Sequence, residues 1–102
     1  MFGRTEIENV PARSWQDWVR QAGAVVVDVR EPAEWRGGTL PGAKLIAMSS
    51  FGSHAPDLDP GTPVLVVCRS GNRSLTVARA LKKAGFARVG NLVGGMVALG
   101  RA

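Results

Sequence analysis

Four consecutive apolar residues, Val64 to Val67, run directly into the chain's only cysteine and then into a loop of small and basic residues, VLVVCRSGNRS. A run that is apolar on both faces suits a strand buried in the middle of a parallel sheet, and Pro60, Gly61 and Pro63 supply the turn into it. Beyond the loop, Leu75, Val77, Ala78, Leu81 and Ala84 recur near helical spacing, with Arg79, Lys82 and Lys83 between them and Gly85 placed to end the helix. Cys68 is therefore expected at the carboxyl end of a strand, just before the amino end of a helix. In open α/β sheets the loop N–H groups and the helix dipole converge on that point and favour negative charge there. A thiol so placed, beside Arg69 and Arg73, is expected to ionise more readily than an ordinary cysteine and to act as a nucleophile. A cysteine after a hydrophobic strand is otherwise a small buried apolar residue, and it is the chemistry of this loop that favours the nucleophile.

A second apolar run, Ala24 to Val29, is interrupted by Asp28 and followed by Arg30, Glu31 and Pro32. It reads as a central strand with charge at its exit. A carboxylate so close to the core needs a cation or hydrogen-bond donors, and Arg30 and loop N–H groups are the candidates. Asp28 and Arg30 are expected to tie down loops beside the site rather than to take part in chemistry.

The remaining segments fit around these two strands. Ile7 and Val10 lie in a polar setting within residues 3 to 10, compatible with a short edge strand. Ser14 reads as a helix N-cap with Asp17 three residues on, and Trp15, Trp18, Val19 and Ala22 form an apolar stripe that ends at Gly23. The tryptophans at this spacing are expected in the core. Pro32 suits the first turn of a short helix, Ala33 to Arg36, stopped by Gly37 and Gly38. The TLPGA turn, Thr39 to Ala43, delivers a third strand at Lys44 to Met48. Ser49 or Ser50 can cap a short helical turn in the polar stretch to Asp59. That stretch holds His54, the only histidine, which reads as solvated rather than as a partner of Cys68. Ala87 to Val93 is a last strand, and Gly94-Gly95 opens a stub of helix, Met96 to Leu99. The alternation of strands and helices specifies an α/β fold, a parallel sheet with helices on both faces.

A length of 102 residues with 45% hydrophobic content gives one domain, residues 1–102. One cysteine allows no internal disulfide and points to a reducing compartment, the cytoplasm by default. No stretch has the length of a signal peptide's apolar core or of a membrane span, so no membrane association is expected. Thirteen Lys and Arg against eight Asp and Glu give a net charge of +5. The basic residues are scattered, with no run beyond Lys82-Lys83 and no interleaved aromatics, which argues against nucleic acid and for a field that attracts small anions. One Cys and one His cannot build a tetrahedral protein-ligated metal site, and no cofactor is called for.

Three segments, VVVDVREPAEW, the TLPGA turn, and VVCRSGNRS followed at a distance by NLVGGM, together resemble the rhodanese-like domain in its single-domain sulfurtransferase form, over about Ile7 to Leu99. The resemblance implies a five-stranded parallel sheet flanked by helices and a cysteine that cycles between thiolate and persulfide. It assigns Cys68 as the sulfur-accepting nucleophile. Arg69, Ser70, Gly71, Asn72 and Arg73 become the substrate-binding loop that cradles the transferred sulfur, and Ser74 the start of the helix behind it. Asp28 and Arg30 match the family's D-x-R element, and Gly94-Gly95 its turn packed near the loop. Thr39, where many members have His, and Leu99, near a frequent Trp, depart from the family pattern at positions that look structural. The implied reaction moves a sulfane sulfur from a donor such as thiosulfate, through a Cys68 persulfide, to cyanide or a thiol, with a protein donor or acceptor as a further possibility.

Two rivals use related architecture. Cysteine-dependent phosphatases and arsenate reductases resemble one another in placing five residues between Cys and Arg, whereas Cys68 and Arg73 enclose four, a tighter ring that suits one sulfur atom. A non-catalytic or carrier module of the same fold is the other, and retention of Cys68 argues against an inert version without excluding a relay.

Overall fold

The structure, a computed structural model, describes residues 6–54, without the side chain of His54, and residues 57–101. Five parallel strands form one sheet in the order β1-β5-β4-β2-β3. They are β1 (Glu8–Val10), β2 (Val25–Asp28), β3 (Lys44–Leu45), β4 (Val64–Val67) and β5 (Val89–Leu92). The helices are α1 (Trp15–Ala22), α2 (Pro32–Trp35), α3 (Phe51–His54), α4 (Asn72–Lys83) and α5 (Gly95–Ala98). All four residues of β4 are buried, and β4 pairs with β2 on one side and β5 on the other, as its apolar run requires.

Alternation along β4 divides the core in two. Val64, Val66 and Cys68 face one cluster, with Val77, Ala78 and Leu81 of α4 and with Met48 and Phe51 at its margin. Leu65 and Val67 face the other, with Met96 of α5 and with Trp15, Trp18 and Val19 of α1. Helices thus cover both faces, and Cys68 projects toward α4. Trp18 is a core contact, as expected, and its indole N–H donates to Glu8 at 3.1 Å while Arg88 stacks over the ring and pairs with the same carboxylate. That carboxyl is held below its usual range chiefly by the Arg88 hydrogen bond, against the opposing effect of burial.

Several expected boundaries shift. The third strand is two residues long rather than reaching Met48. Ile46 and Met48 N–H groups still donate to Asp28 and Val29 carbonyls, but at Ala47 the chain turns into a 3-10 turn, Met48–Ser50, that carries Met48 and Phe51 onto the α4-side core. Ser14 does not cap α1: a 3-10 turn, Ala12–Ser14, runs directly into the helix, and the Ser14 hydroxyl turns back to the Pro11 carbonyl at 3.4 Å. The Ser49 hydroxyl donates to Glu31 and that of Ser50 to the Ala47 carbonyl. The last strand is trimmed to Val89–Leu92. The expectation for the His54 side chain lies outside the described residues. Among the described residues no helix is long and apolar enough to cross a membrane.

Candidate active site

The carboxyl ends of β2 and β4 lie side by side, paired through Asp28 and Val67. Cys68 follows β4 and is wholly buried. The loop after it curls back on the sulfur: the Gly71 N–H donates to Cys68 Sγ at 3.0 Å, and the Ser74 hydroxyl lies 3.2 Å from the same sulfur. Burial opposes ionisation of this thiol, but the Ser74 hydroxyl and the backbone N–H groups of Ser74, Gly71 and Ser70 together outweigh it and lower the pKa.

The loop holds this shape because its outward-facing carbonyls are occupied. Met96 N–H donates to the Cys68 carbonyl at 2.9 Å and Val97 N–H to the Arg69 carbonyl at 3.0 Å, so the first turn of α5 grips the loop from behind. Such an approach demands glycine: at Gly95, with φ of 56°, a Cβ would stand 2.4 Å from the Cys68 carbonyl oxygen. Gly71, with φ of 101°, begins α4 in a conformation that L side chains rarely adopt.

Arg73 differs from expectation. Its guanidinium forms a two-bond fork with Glu34 of α2, at 2.6 and 2.8 Å, and the Arg73 hydrogen bond holds the Glu34 carboxyl down at about 2. Arg73 feels the field of Cys68, yet its hydrogen bonds go elsewhere, and Arg69 is exposed. The two arginines are therefore secondary to Ser74 and the loop N–H groups in lowering the thiol pKa. Glu34 is itself oriented by the Glu31 N–H, which donates to it at 3.0 Å in a capping box.

Asp28 and Arg30 are both buried, and each Asp28 oxygen accepts from Arg30, the shortest bond being 2.8 Å. The remaining guanidinium N–H groups donate to the Glu34 and Gly38 carbonyls, which ties the exit of β2 to α2 and to the glycine turn after it. Neither residue reaches the sulfur through a hydrogen bond. Ser70, Gly71 and Asn72 line a cleft of about 410 Å³ with Asn9, Asn91 and Val93.

One buried polar residue escaped the sequence reading. Asn91 of β5 stands on the α4 face, two residues after the core Val89, with its amide N–H donating to the Gly71 carbonyl at 3.2 Å and its Oδ1 accepting from the Ser74 hydroxyl at 2.5 Å. An amide at an inward position of a central strand was the available signal, because such a group is retained only with partners.

A family model described as Rhodanese-like domain matches residues 12–102. The chain belongs to the rhodanese-like family. It is 33% identical over 91 residues to the thiosulfate sulfurtransferase GlpE of Pseudomonas putida, covering 89% of this chain and 83% of that protein. It is 41% identical over 87 residues to the chloroplastic rhodanese-like/PpiC domain-containing protein 12 of Arabidopsis thaliana, spanning 81% of this chain but only 29% of that protein. Among solved structures, a rhodanese-like domain protein from Staphylococcus aureus superposes with a TM-score of 0.82 at 27% identity, covering 90% of each chain. The rhodanese-like fold places the Cys68 loop at the carboxyl edge of the sheet, as its sequence motifs implied.

Proposed function

We propose that this rhodanese-like domain is a thiosulfate sulfurtransferase working through a persulfide on Cys68. The observation that carries the reading is the tight loop after Cys68, where the Gly71 N–H and, from α4 behind it, the Ser74 hydroxyl meet at the sulfur. Donors arranged around one atom stabilise a sulfur anion as an oxyanion hole stabilises oxygen.

In the first half-reaction the Cys68 thiolate attacks the outer sulfur of thiosulfate. A bond forms between Sγ and that sulfur, the sulfur–sulfur bond of the donor breaks, and sulfite leaves with the electron pair. The persulfide anion remains in the loop. In the second, cyanide or a thiolate attacks the outer sulfur, the persulfide bond breaks, and Cys68 departs as a thiolate stabilised by the same donors. No side-chain general base is required, because the donors that lower the thiol pKa let its proton leave to solvent before attack, and Cys68 departs as the thiolate. Neither metal nor cofactor is required. Arg69, exposed at the rim, supplies positive charge for the dianionic donor, while Arg73, held by Glu34, shapes the wall of the site. The remaining loop residues, Ser70 and Asn72, line the cleft beside it. Reduced thiol chemistry of this kind suits a cytoplasmic setting.

The test is thiocyanate formation from thiosulfate and cyanide. The wild-type chain is expected to turn over and Cys68→Ser to be inactive; a serine variant that keeps most of the rate contradicts the assignment.

A further inference from the structure

The Ser74 hydroxyl has one proton and two candidate acceptors: Asn91 Oδ1 at 2.5 Å and Cys68 Sγ at 3.2 Å. It cannot serve both. The orientation of Asn91 is fixed from the other side, since its amide N–H donates to the Gly71 carbonyl, and the flipped amide would set oxygen against oxygen there. Oδ1 therefore always faces Ser74. All three residues are buried, so no water can readily take over a partner that one of them loses.

We propose that Asn91 is a positioning residue for the sulfur chemistry, competing with Cys68 Sγ for the single hydroxyl proton of Ser74. This inference rests on the sulfurtransferase reading above and extends it to β5. While Cys68 is a thiol, Ser74 donates to Asn91 and presents a lone pair to the S–H. When the thiol proton leaves for solvent, the hydroxyl turns its proton onto the thiolate, and Asn91 Oδ1 is left without a donor. When the persulfide forms, Sγ becomes a neutral divalent sulfur and a poor acceptor, and the hydroxyl proton returns to Asn91. Asn91 thus opposes the free thiolate and favours the loaded state.

The other charged groups on the elements around the sulfur are Arg69 in the loop, Arg73 at the start of α4 with Glu34 of α2 against it, Arg79, Lys82 and Lys83 further along α4, and the Asp28–Arg30 pair at the exit of β2. None of them touches Ser74 or Asn91 through a hydrogen bond, and neither β5 nor α5 carries a charge.

The test measures the rate of Cys68 alkylation by iodoacetamide against pH, a readout that needs no sulfur transfer and therefore separates this inference from the proposed activity. Asn91→Leu is expected to move the midpoint about 1 pH unit lower, the scale of one hydrogen bond to a charged group. In a Ser74→Ala background the same substitution is expected to leave the midpoint where it was. Slackness of the loop from the lost Gly71 bond would appear equally in both backgrounds, so the difference between them isolates the Ser74 proton. If Asn91→Leu does not fold, Asn91→Ala removes the acceptor without adding bulk. Equal shifts in the two backgrounds, no shift, or a higher midpoint in the Ser74 background would overturn the proposal.

Discussion

Two strands of this sheet end side by side on a buried group able to carry negative charge, and the two are neutralised in opposite ways. At the exit of β2 the Asp28 carboxylate is gripped by the Arg30 guanidinium and backbone N–H, all within 3.1 Å. At the exit of β4 the Cys68 sulfur meets no cation directly; it meets a backbone N–H and a hydroxyl. A carboxylate locked to a full opposite charge has no reason to react, and its partner cannot leave without stranding it. A sulfur held by dipoles keeps its nucleophilicity while its anion is stabilised. The same topological position thus yields a structural clasp at one strand and, in the proposed function, the nucleophile at its neighbour.

The comparison breaks most completely at Cys68, where serine is expected to reduce sulfur transfer to background while leaving the thermal midpoint nearly unchanged. The β2 clasp should show the reverse pattern. Arg30→Ala leaves Asp28 buried without its cation and also frees the Glu34 and Gly38 carbonyls, at an expected cost of about 3–5 kcal/mol in urea unfolding. A loss under 1 kcal/mol would show that the clasp is dispensable. Ser74→Ala removes one donor from the sulfur and no charge. It is expected to cost about 3 kcal/mol of transition-state stabilisation, roughly a hundredfold in kcat, with a higher pH midpoint for thiol alkylation.

The smallest effect belongs to the third pair, Glu34–Arg73, which stands nearer solvent, with Arg73 35% exposed. Its carboxyl titrates at about 2 in the fold and near 4.5 unpaired. The folded value is the lower, so the pair's contribution is complete above about 4.5 and is lost as pH falls toward 2. Glu34→Gln should flatten that acid-side slope, and solvent screening should keep the change at neutral pH small. Denaturation midpoints measured across this range check it, and an unchanged acid slope would remove Glu34 from the account.

Much of this was legible in the sequence because the informative signals are local. Apolar runs announced β2 and β4, and Gly85 and Gly23 marked helix ends that the structure confirms. Asp28 and Arg30 are two residues apart, so a pairing could be expected from proximity. Glu34 and Arg73 are separated by 39 residues, and nothing in the spacing of either joins them. From sequence Arg73 therefore reads as a partner of the thiolate, whereas in the fold its guanidinium is committed to Glu34. Asn91 reads as one polar residue in a short strand until the Gly71 carbonyl and the Ser74 hydroxyl are seen on either side of it. The shortness of β3 was illegible for another reason: the turn at Ala47 is set by where Met48 and Phe51 find the core, which is a tertiary effect.

The most direct test of a dipole-held, sulfur-carrying Cys68 is intact-protein mass spectrometry after incubation with thiosulfate in the absence of reductant. The account predicts one added sulfur atom on the wild-type chain, removed by cyanide as thiocyanate and never acquired by Cys68→Ser. A wild-type chain that stays unmodified under thiosulfate, or an adduct that persists on the serine variant, would contradict it.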